Sequence, residues 1–272
     1  IMWECPDFFP LDGKWVLILS PIEMERQQEK YWNLNSTVAF IGDMNWETGQ
    51  FVVDSYDEID GGLDFYAPQT CQGPNGERYM VAWMQMWQRS IPSHDLGHGW
   101  AGSMTVPRKL GLRDGRLVQE LPESVKDHFL VENASETIVK GNQITIPARG
   151  KQTLFEIGAK SGRSFILSYG NESYADSALQ LIYDASNKRF SLSRDQFGYL
   201  ISGKESPEIQ SRWIQLDGEK DLHFSILRDT NSIEVFVDGK TLSMTFYETT
   251  ENPVYTFKAD EGVDLVVKTY QK

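Results

Sequence analysis

The sequence contains little cysteine and no long apolar run, and each absence argues against a class of protein. Two of its 272 residues are cysteines, Cys5 and Cys71, too few for a disulfide framework, so we expect both thiols to be reduced. No run of about 18 or more apolar residues is present, which argues against a transmembrane helix. No signal peptide pattern is visible, but the chain begins at Ile1 instead of Met, so we expect the natural N-terminus to lie outside this sequence.

Basic residues and histidines are also scarce. The 26 Lys and Arg are outnumbered by 39 Asp and Glu, for a net charge of −13, and phosphate recognition needs clusters of cations, so we expect no nucleic-acid partner. His94 and His98 are four residues apart, but they lie in a loop-like segment without the helix and Glu of a zinc protease motif. A glycine-rich phosphate loop and a nucleophile elbow are missing too, and we expect no metal and no cofactor. The lack of a long apolar run leads us to expect no membrane partner either.

Aromatic residues, in contrast, make up 12% of the chain. This abundance suits an all-β core, and a few exposed Trp and Tyr would be able to stack on a ligand. Residues 22–32 have helix-like spacing but fit an exposed loop equally well. The other regular segments of the first half are short apolar runs separated by Asp-Gly, Gly-Gly and Pro-Asn-Gly turn signals, typical of strands: 14–20, 36–42, 50–54 and 78–84.

The pattern changes near residues 118–135. Residues 123–132 have helical spacing, and beyond them about ten segments alternate cleanly between apolar and polar residues. Asp238-Gly239 is the tightest hairpin signal in the chain. We therefore predict a first domain over 1–117, a helical connector over 118–135 and a β-sandwich over 136–272.

A candidate catalytic acid lies at the very start of the chain. Glu4 is flanked by aromatic residues and a cysteine in the run Trp3-Glu-Cys-Pro-Asp-Phe-Phe9. Burial beside Trp3 and Phe8 would disfavour the ionised carboxylate, and a carboxylic acid that keeps its proton near neutral pH can act as a general acid. Such an acid usually works with a second carboxylate.

Several separated segments, in the same order along the chain, resemble glycoside hydrolase family 32, the family of invertases, sucrose-6-phosphate hydrolases and fructan hydrolases. The resemblance covers nearly the whole chain and implies an all-β fold, a five-bladed β-propeller followed by a β-sandwich. The segments are Glu-Cys-Pro-Asp at 4–7, Leu-Asp-Phe-Tyr-Ala-Pro-Gln-Thr at 63–70, Ala-Trp-Met-Gln-Met-Trp at 82–87, His-Gly-Trp-Ala-Gly-Ser-Met-Thr-Val-Pro-Arg at 98–108, Leu-Arg-Asp-Gly-Arg-Leu at 112–117 and the stretch 227–239.

Two of the family's motifs do not occur in this sequence. The family places its nucleophilic Asp in a Trp-Met-Asn-Asp-Pro-Asn-Gly-like motif and a second Asp, which holds substrate hydroxyls, in an Arg-Asp-Pro motif. The pairs Arg113-Asp114, Arg194-Asp195 and Arg228-Asp229 lack the proline, and we expect them at turns or on the surface. The chain therefore resembles the C-terminal part of a family member, with the last two propeller blades, part of a third at most, and the sandwich.

The resemblance implies roles for five residues. Glu4 would be the acid/base. Cys5 would line the sugar pocket, or be a small buried apolar residue. Asp64 would accept hydrogen bonds from a sugar or stabilise a turn, Tyr66 would bring its hydroxyl near Glu4, and Trp83 would stack on fructose or pack in the core.

Other residues of these segments are less informative. We expect Trp87 and Trp100 to be structural, and Arg89 to be either a phosphate-binding residue or, more simply, a solvated loop charge. Sucrose, sucrose 6-phosphate and fructan remain open as substrates, as do hydrolysis and fructosyl transfer. The absence of disulfides favours a cytoplasmic enzyme.

Two functions from different classes fit the sequence. In the first, the chain belongs to a retaining β-fructofuranosidase, supplies its acid/base, lacks the nucleophile and is inactive alone. In the second, it is a naturally truncated, non-catalytic carbohydrate-binding or structural protein. Either way, open propeller edges would need cover, from a homodimer or from an N-terminal segment.

Overall fold

The computed structural model describes residues 2–129, 134–139, 143–171, 177–204, 209–217, 219–248 and 250–270. Over these ranges the chain is all-β, with four antiparallel sheets and two short helices, α1 (Pro92–Asp95) and α2 (Glu123–His128). The all-β prediction is therefore confirmed. No helix in this part of the chain is long and apolar enough to span a bilayer.

The first half of the chain forms two four-stranded sheets whose strands follow one another in sequence. The blade-like order of neighbouring hairpins is β1-β2-β3-β4 in the first sheet and β5-β6-β7-β8 in the second. The strands are β1 (Met2–Leu11), β2 (Lys14–Ile22), β3 (Val38–Asn45), β4 (Gln50–Glu58), β5 (Tyr66–Gln72), β6 (Arg78–Trp83), β7 (Arg108–Arg113) and β8 (Arg116–Glu120).

These two sheets pack against each other through one apolar face each. Phe9, Val16 and Ile41 from the first sheet form a shared core with Met80 and Leu110 from the second. Because successive side chains of a strand point to opposite faces, the other face of the first sheet carries a separate set of apolar residues. We call this set the aromatic face; it comprises Trp3, Phe8, Trp15, Phe40, Trp46, Phe51, Val53 and Tyr56.

The second half of the chain is a β-sandwich of two six-stranded sheets. Their strand orders are β18-β17-β16-β11-β20-β9 and β10-β19-β12-β13-β14-β15, and their facing side chains form the largest core of the protein. The strands are β9 (Ala134–Val139), β10 (Gln143–Pro147), β11 (Gln152–Ala159), β12 (Phe165–Gly170), β13 (Leu179–Asp184), β14 (Arg189–Ser193), β15 (Ser211–Gln215), β16 (Leu222–Arg228), β17 (Ser232–Val237), β18 (Lys240–Thr245), β19 (Val254–Ala259) and β20 (Val263–Tyr270).

Buried charges join the sandwich to the two smaller sheets. Arg108 of β7 is fully buried and binds Asp60, which follows β4, and Glu234 of β17, at 2.8 and 2.7 Å. A second buried pair joins Glu58 of β4 to Arg212 of β15 at 2.9 Å. Taking such charges out of water is unfavourable unless they are paired, so these contacts fix the two halves in one arrangement.

Local predictions differ in outcome. Of the two alternatives for residues 22–32, a helix or an exposed loop, the structure has the loop: Ile22 ends β2, and the residues after it form a loop closed by a bridge between Gln27 and Lys30. Among the described residues of the connector predicted over 118–135, Glu123–His128 is helical, and β8 and β9 extend into this range from either side. His94 lies in α1, a single helical turn, where a loop was expected.

Candidate active site

The first strands of the two smaller sheets are interrupted at equivalent points. The β1–β2 register shifts between Glu4 and Asp7, and the β5–β6 register shifts between Tyr66 and Gln69. The residue that follows the candidate site residue in each strand has a left-handed backbone, with φ of 49° at Cys5 and 50° at Ala67. Residues with a Cβ seldom occupy this region, and such strained bulges are frequent beside active sites.

A proline stands in each of these bulges, Pro6 in β1 and Pro68 in β5. Proline has no backbone N–H, so it fits where the hydrogen-bond ladder is already broken and would weaken an uninterrupted strand. The two short motifs thus place a bulge, and with it a redirected side chain, at the same end of neighbouring sheets.

Glu4 and Tyr66 meet at this end. The Tyr66 hydroxyl donates a hydrogen bond of 2.6 Å to Glu4 Oε2 and lies 3.3 Å from the backbone carbonyl oxygen of Ser20. Burial, and then the hydrogen bond to Glu4, raises the pKa of Tyr66, so the phenol keeps its proton and remains a donor. One carboxylate oxygen is thereby held in place, and among the described residues none donates to the other oxygen, Oε1.

Asp7 keeps the two bulged strands at a fixed separation. Its Oδ2 accepts hydrogen bonds from the backbone N–H and the hydroxyl of Thr70, at 2.7 and 2.6 Å. Arg78 adds a 2.8 Å bond from Nε to the Thr70 hydroxyl. Because Thr70 belongs to β5 and Asp7 to β1, this cluster ties the strand that bears Glu4 to the strand that bears Tyr66.

The expectation that Trp3 and Phe8 enclose Glu4 is wrong. Trp3 is half exposed and stacks on Phe40 with ring centroids 5.6 Å apart, and Phe8 stacks on Trp15 at 4.9 Å. Alternation along the strand and the bulge place both rings on the aromatic face, whereas Glu4 points towards Tyr66.

Cys5 and Trp83 flank the Glu4–Tyr66 pair. Cys5 is partly buried, and burial, followed by the charge of Glu4, raises the pKa of its thiol. Trp83 is the cross-strand partner of Tyr66 and packs edge-on against Trp87 at 5.0 Å. Contact of Cys5 and Trp83 with a sugar stays a prediction.

Asp64 does not reach this site. It is fully buried; its Oδ1 accepts from Arg89 at 2.8 Å, and its Oδ2 accepts from Arg194 and from the backbone and hydroxyl of Thr245. Burial alone would raise the pKa of Asp64, but Arg194 and Arg89 outweigh it and lower that pKa. The expectation of an Asp64 contact with sugar is wrong, because its oxygens are already engaged between the domains.

Three arginines also depart from expectation, two of them in the Asp64 cluster and one beside Tyr169. Arg89 was predicted to be a phosphate ligand or a solvated charge, and it is buried against Asp64. Arg194 and Arg228 were expected at turns or on the surface, and both are buried, Arg194 against Asp64 and Arg228 against Tyr169. The sequence around each arginine gave no sign of these buried partners, which lie between 25 and 130 residues away along the chain.

Family models cover the chain from end to end. The model described as the glycosyl hydrolases family 32 N-terminal domain matches residues 1–121, and that of the family 32 C terminal matches residues 119–271. The chain belongs to glycoside hydrolase family 32. It spans about half the length of the curated relatives it matches.

Individual relatives agree with this membership. A sucrose-6-phosphate hydrolase of Zymomonas mobilis is 32% identical over 87% of this chain and 45% of its own length. A raffinose invertase of Escherichia coli is 32% identical over 96% of this chain and 53% of its own length. The solved sucrose-6-phosphate hydrolase of Lactobacillus gasseri aligns with a TM-score of 0.86 at 21% identity, over 99% of this chain and 55% of that one.

Some of the solved family 32 proteins carry sugars. A point mutant of the Bombyx mori β-fructofuranosidase, in complex with sucrose, aligns with a TM-score of 0.82 at 24% identity, over 99% of this chain and 54% of that one. The Schwanniomyces occidentalis enzyme, complexed with fructosyl-erythritol, aligns with a TM-score of 0.74 at 20% identity, over 99% of this chain and 60% of that one.

Sequence reasoning missed two features of the site. One is the matched pair of bulges, which the parallel motifs Glu-Cys-Pro and Tyr-Ala-Pro could have signalled through their prolines. The other is the exposure of Trp87 and Trp100, which were expected to be structural and are 70% and 53% exposed. Over the described ranges, no cluster of three His, Cys, Asp or Glu residues has a metal-binding arrangement.

Proposed function

We propose that this chain supplies the acid/base of a retaining β-fructofuranosidase that acts on terminal β-fructosides. The observation that carries the proposal is the 2.6 Å hydrogen bond from Tyr66 to Glu4 Oε2, which fixes the carboxylate, while no described residue donates to Oε1. Membership of family 32 and the names of the relatives, sucrose-6-phosphate hydrolase and raffinose invertase, support the reaction class.

In the first step of this mechanism, protonated Glu4 donates its proton to the glycosidic oxygen as the bond from the fructosyl carbon to that oxygen breaks. A nucleophilic carboxylate on the opposite side forms the covalent fructosyl-enzyme. In the second step, Glu4 as carboxylate takes a proton from water, whose oxygen attacks the same carbon and releases the nucleophile. Tyr66 keeps the Glu4 side chain in one orientation through both steps.

The nucleophile of this mechanism lies outside the 272 residues, since the family motif that bears it does not occur among them. Retaining enzymes hold the two carboxyl groups about 5–5.5 Å apart, so the missing strand must pass close to β1. We propose that it belongs to the part of the family's N-terminal domain that the relatives have and this chain does not.

The aromatic face supports the same proposal. Trp46 and Tyr56 are 63% and 52% exposed, and this face is large and continuous with the strand that bears Glu4. Monomeric proteins seldom leave apolar patches of this kind uncovered. The opposite face of the same sheet already packs on a neighbouring sheet, so a further sheet would be held in the same way.

The test combines this chain with the first half of a relative, such as the raffinose invertase of E. coli, fused ahead of residue 2 or co-expressed. We expect release of fructose from sucrose by the combined protein and a loss of about 10²- to 10⁴-fold with Glu4→Gln. Glu47→Gln, on the exposed β3–β4 hairpin, serves as the matched control and should be fully active. Unchanged activity with Glu4→Gln would overturn the assignment, and sucrose hydrolysis by this chain alone would overturn the need for a second carboxylate.

A further inference from the structure

A cavity lies where the two smaller sheets meet the sandwich. Its walls come from β3, β4 and β8 on one side and from β15 and β18 on the other, and they enclose about 70 Å³ of space. One water molecule needs at least about 10–15 Å³ of such space, so the cavity has room for a group of roughly five heavy atoms. It is too small to enclose a disaccharide, and its volume suits a small ion.

This cavity is separate from the candidate active site and from the aromatic face. Neither Glu4 nor Tyr66 lines it. Its β3 residues, Ala39 and Ile41, lie on the face of that strand opposite to Phe40, which belongs to the aromatic face. A further sheet packed on the aromatic face would therefore leave the cavity unchanged.

Acidic side chains line the cavity, but most of them already have a cation as partner. The pairs are Asp57 with Lys30 at 2.6 Å, Glu58 with Arg212 at 2.9 Å and Asp238 with Lys220 at 2.9 Å. The remaining lining carboxylate is Glu29, and its charge acts less strongly on Lys240 of the cavity than the charge of Arg116 does. The carboxylates therefore leave the cavity little net negative charge.

Two lining cations, in contrast, form no ion pair with any carboxylate that the structure describes. They are Arg116 of β8 and Lys240 of β18, one from each half of the chain. Lys240 is partly buried and donates one hydrogen bond of 2.7 Å, to the carbonyl oxygen of Gln215, so its ammonium retains two further donors. Burial, and then the charge of Arg116, lowers the pKa of Lys240, so the two cations are close enough to repel each other.

We propose that this cavity binds a small oxyanion, inorganic phosphate being the best match, between Arg116 and Lys240. A phosphate group carries a charge of about −1.5 to −2 near pH 7, which two cations balance. Its phosphorus and four oxygens fit the volume, and guanidinium and ammonium groups are the usual phosphate ligands of proteins. A neutral ligand would leave the repulsion between the two cations in place.

Binding of this kind has a consequence for stability. Arg116 belongs to the second of the smaller sheets and Lys240 to the sandwich, so the anion would bridge the two halves of the chain. A ligand that binds only the folded arrangement stabilises it by mass action. Phosphate should therefore raise the urea midpoint of the chain. The site does not depend on the proposed function, because no step of that mechanism uses it.

The experiment titrates inorganic phosphate by calorimetry into the chain, at constant ionic strength and without other oxyanions. We expect one saturable site, with affinity weakened about tenfold or more in Lys240→Met and in Arg116→Met, because each variant removes a hydrogen bond to a charged group. Arg116→Lys keeps the charge and should retain part of the affinity. Lys160→Met is the matched control: Lys160 is an exposed lysine of the sandwich outside the cavity, and its loss should leave the affinity unchanged.

Urea denaturation gives a second readout. Phosphate should raise the midpoint of the parent and of Lys160→Met, and sodium chloride at the same ionic strength should not. No saturable binding of phosphate, an equal gain from chloride, or the same affinity in Lys240→Met as in the parent would overturn the proposal. An equal loss of affinity in Lys160→Met would show that only net charge matters. If Lys240→Met fails to fold, Arg116→Met decides, because the Arg116 side chain is exposed.

Discussion

Replacing Arg108 with methionine should strongly destabilise the protein, because this side chain holds the two halves together from a fully buried position. Its guanidinium binds Asp60 at 2.8 Å, Glu234 at 2.7 Å, Gln119 at 2.8 Å and Thr241 at 2.9 Å. Methionine fills much of the same volume without the charge. The variant therefore leaves two carboxylates buried with no cation between them.

The magnitude follows from that geometry. Removing one partner from a buried ion pair costs about 3–5 kcal/mol, which for a chain of this size lowers the melting temperature by roughly 10 °C. The loss should also depend on pH. Burial already raises the pKa of Glu234 despite Arg108, and without the guanidinium the Glu234 carboxylate takes up a proton more readily in the folded state. The stability of Arg108→Met is then best retained at low pH and falls as pH rises, so its deficit relative to the parent grows from pH 5 to pH 8.

Urea denaturation followed by tryptophan fluorescence measures this loss, and Arg113→Met is the matched control. Arg113 makes a similar contact to Asp238 across the same boundary at 3.1 Å, but its side chain is 47% exposed. An exposed pair contributes about 0–1 kcal/mol. If Arg108→Met loses no more stability than Arg113→Met, or if its deficit shrinks as pH rises, the buried charges do not hold the halves together as argued.

Three further outcomes are expected. Tyr66→Phe removes the hydroxyl that orients Glu4 and should lower kcat/KM for sucrose in the combined protein by about 10- to 100-fold; a variant with full activity would show that the hydrogen bond is dispensable. Burial outweighs the charge of Arg212 and raises the pKa of Glu58 to about 7, so the folded chain holds a proton that the unfolded chain releases, and stability falls as pH rises to 7. The unfolding free energies from urea titrations at pH 5 and pH 8 should differ less in Glu58→Gln than in the parent, by ~2.5 kcal/mol; an identical difference would contradict that pKa. Tyr56→Lys, on the aromatic face, should reduce self-association of the chain in analytical ultracentrifugation and block activity with a relative's first half; an unaltered combined activity would mean that the face is not covered there.

The strands were largely predictable from local pattern. Alternation and turn chemistry predicted β2 and β6 close to their bounds and located β3 and β4, which end three and four residues later than predicted. Asp238-Gly239 forms the β17–β18 hairpin with both residues at positive φ. These features depend on neighbours in sequence. The segment 22–32 was ambiguous because charges interleave with apolar residues at a spacing that suits a helix or a folded loop alike.

The proximity of Tyr66 to Glu4 could be predicted from the family motifs, whereas the burial of several charged side chains could not. Asp64, Arg89 and Arg194 look like loop charges in sequence and form one buried cluster in the fold. Nothing local distinguishes them, because their burial depends on partners up to 130 residues away. The exposure of Trp87 and Trp100 was missed for the same reason. Apolarity predicts burial on average, and only the fold shows which apolar side chains remain exposed.

If Glu4 donates the proton to the leaving group, the effect of Glu4→Gln on the cleavage rate must depend on how much the leaving group needs that proton. Comparing two leaving groups is therefore the most direct test. The first-turnover rate of bond cleavage is measured for sucrose and for an aryl β-fructofuranoside with an acidic phenol, in the combined protein with and without Glu4→Gln. We predict that the variant cleaves sucrose about 10²- to 10⁴-fold more slowly and releases the phenol at nearly the parent rate, because a stable phenolate leaves without a proton. An equal loss for both substrates would contradict the acid role of Glu4.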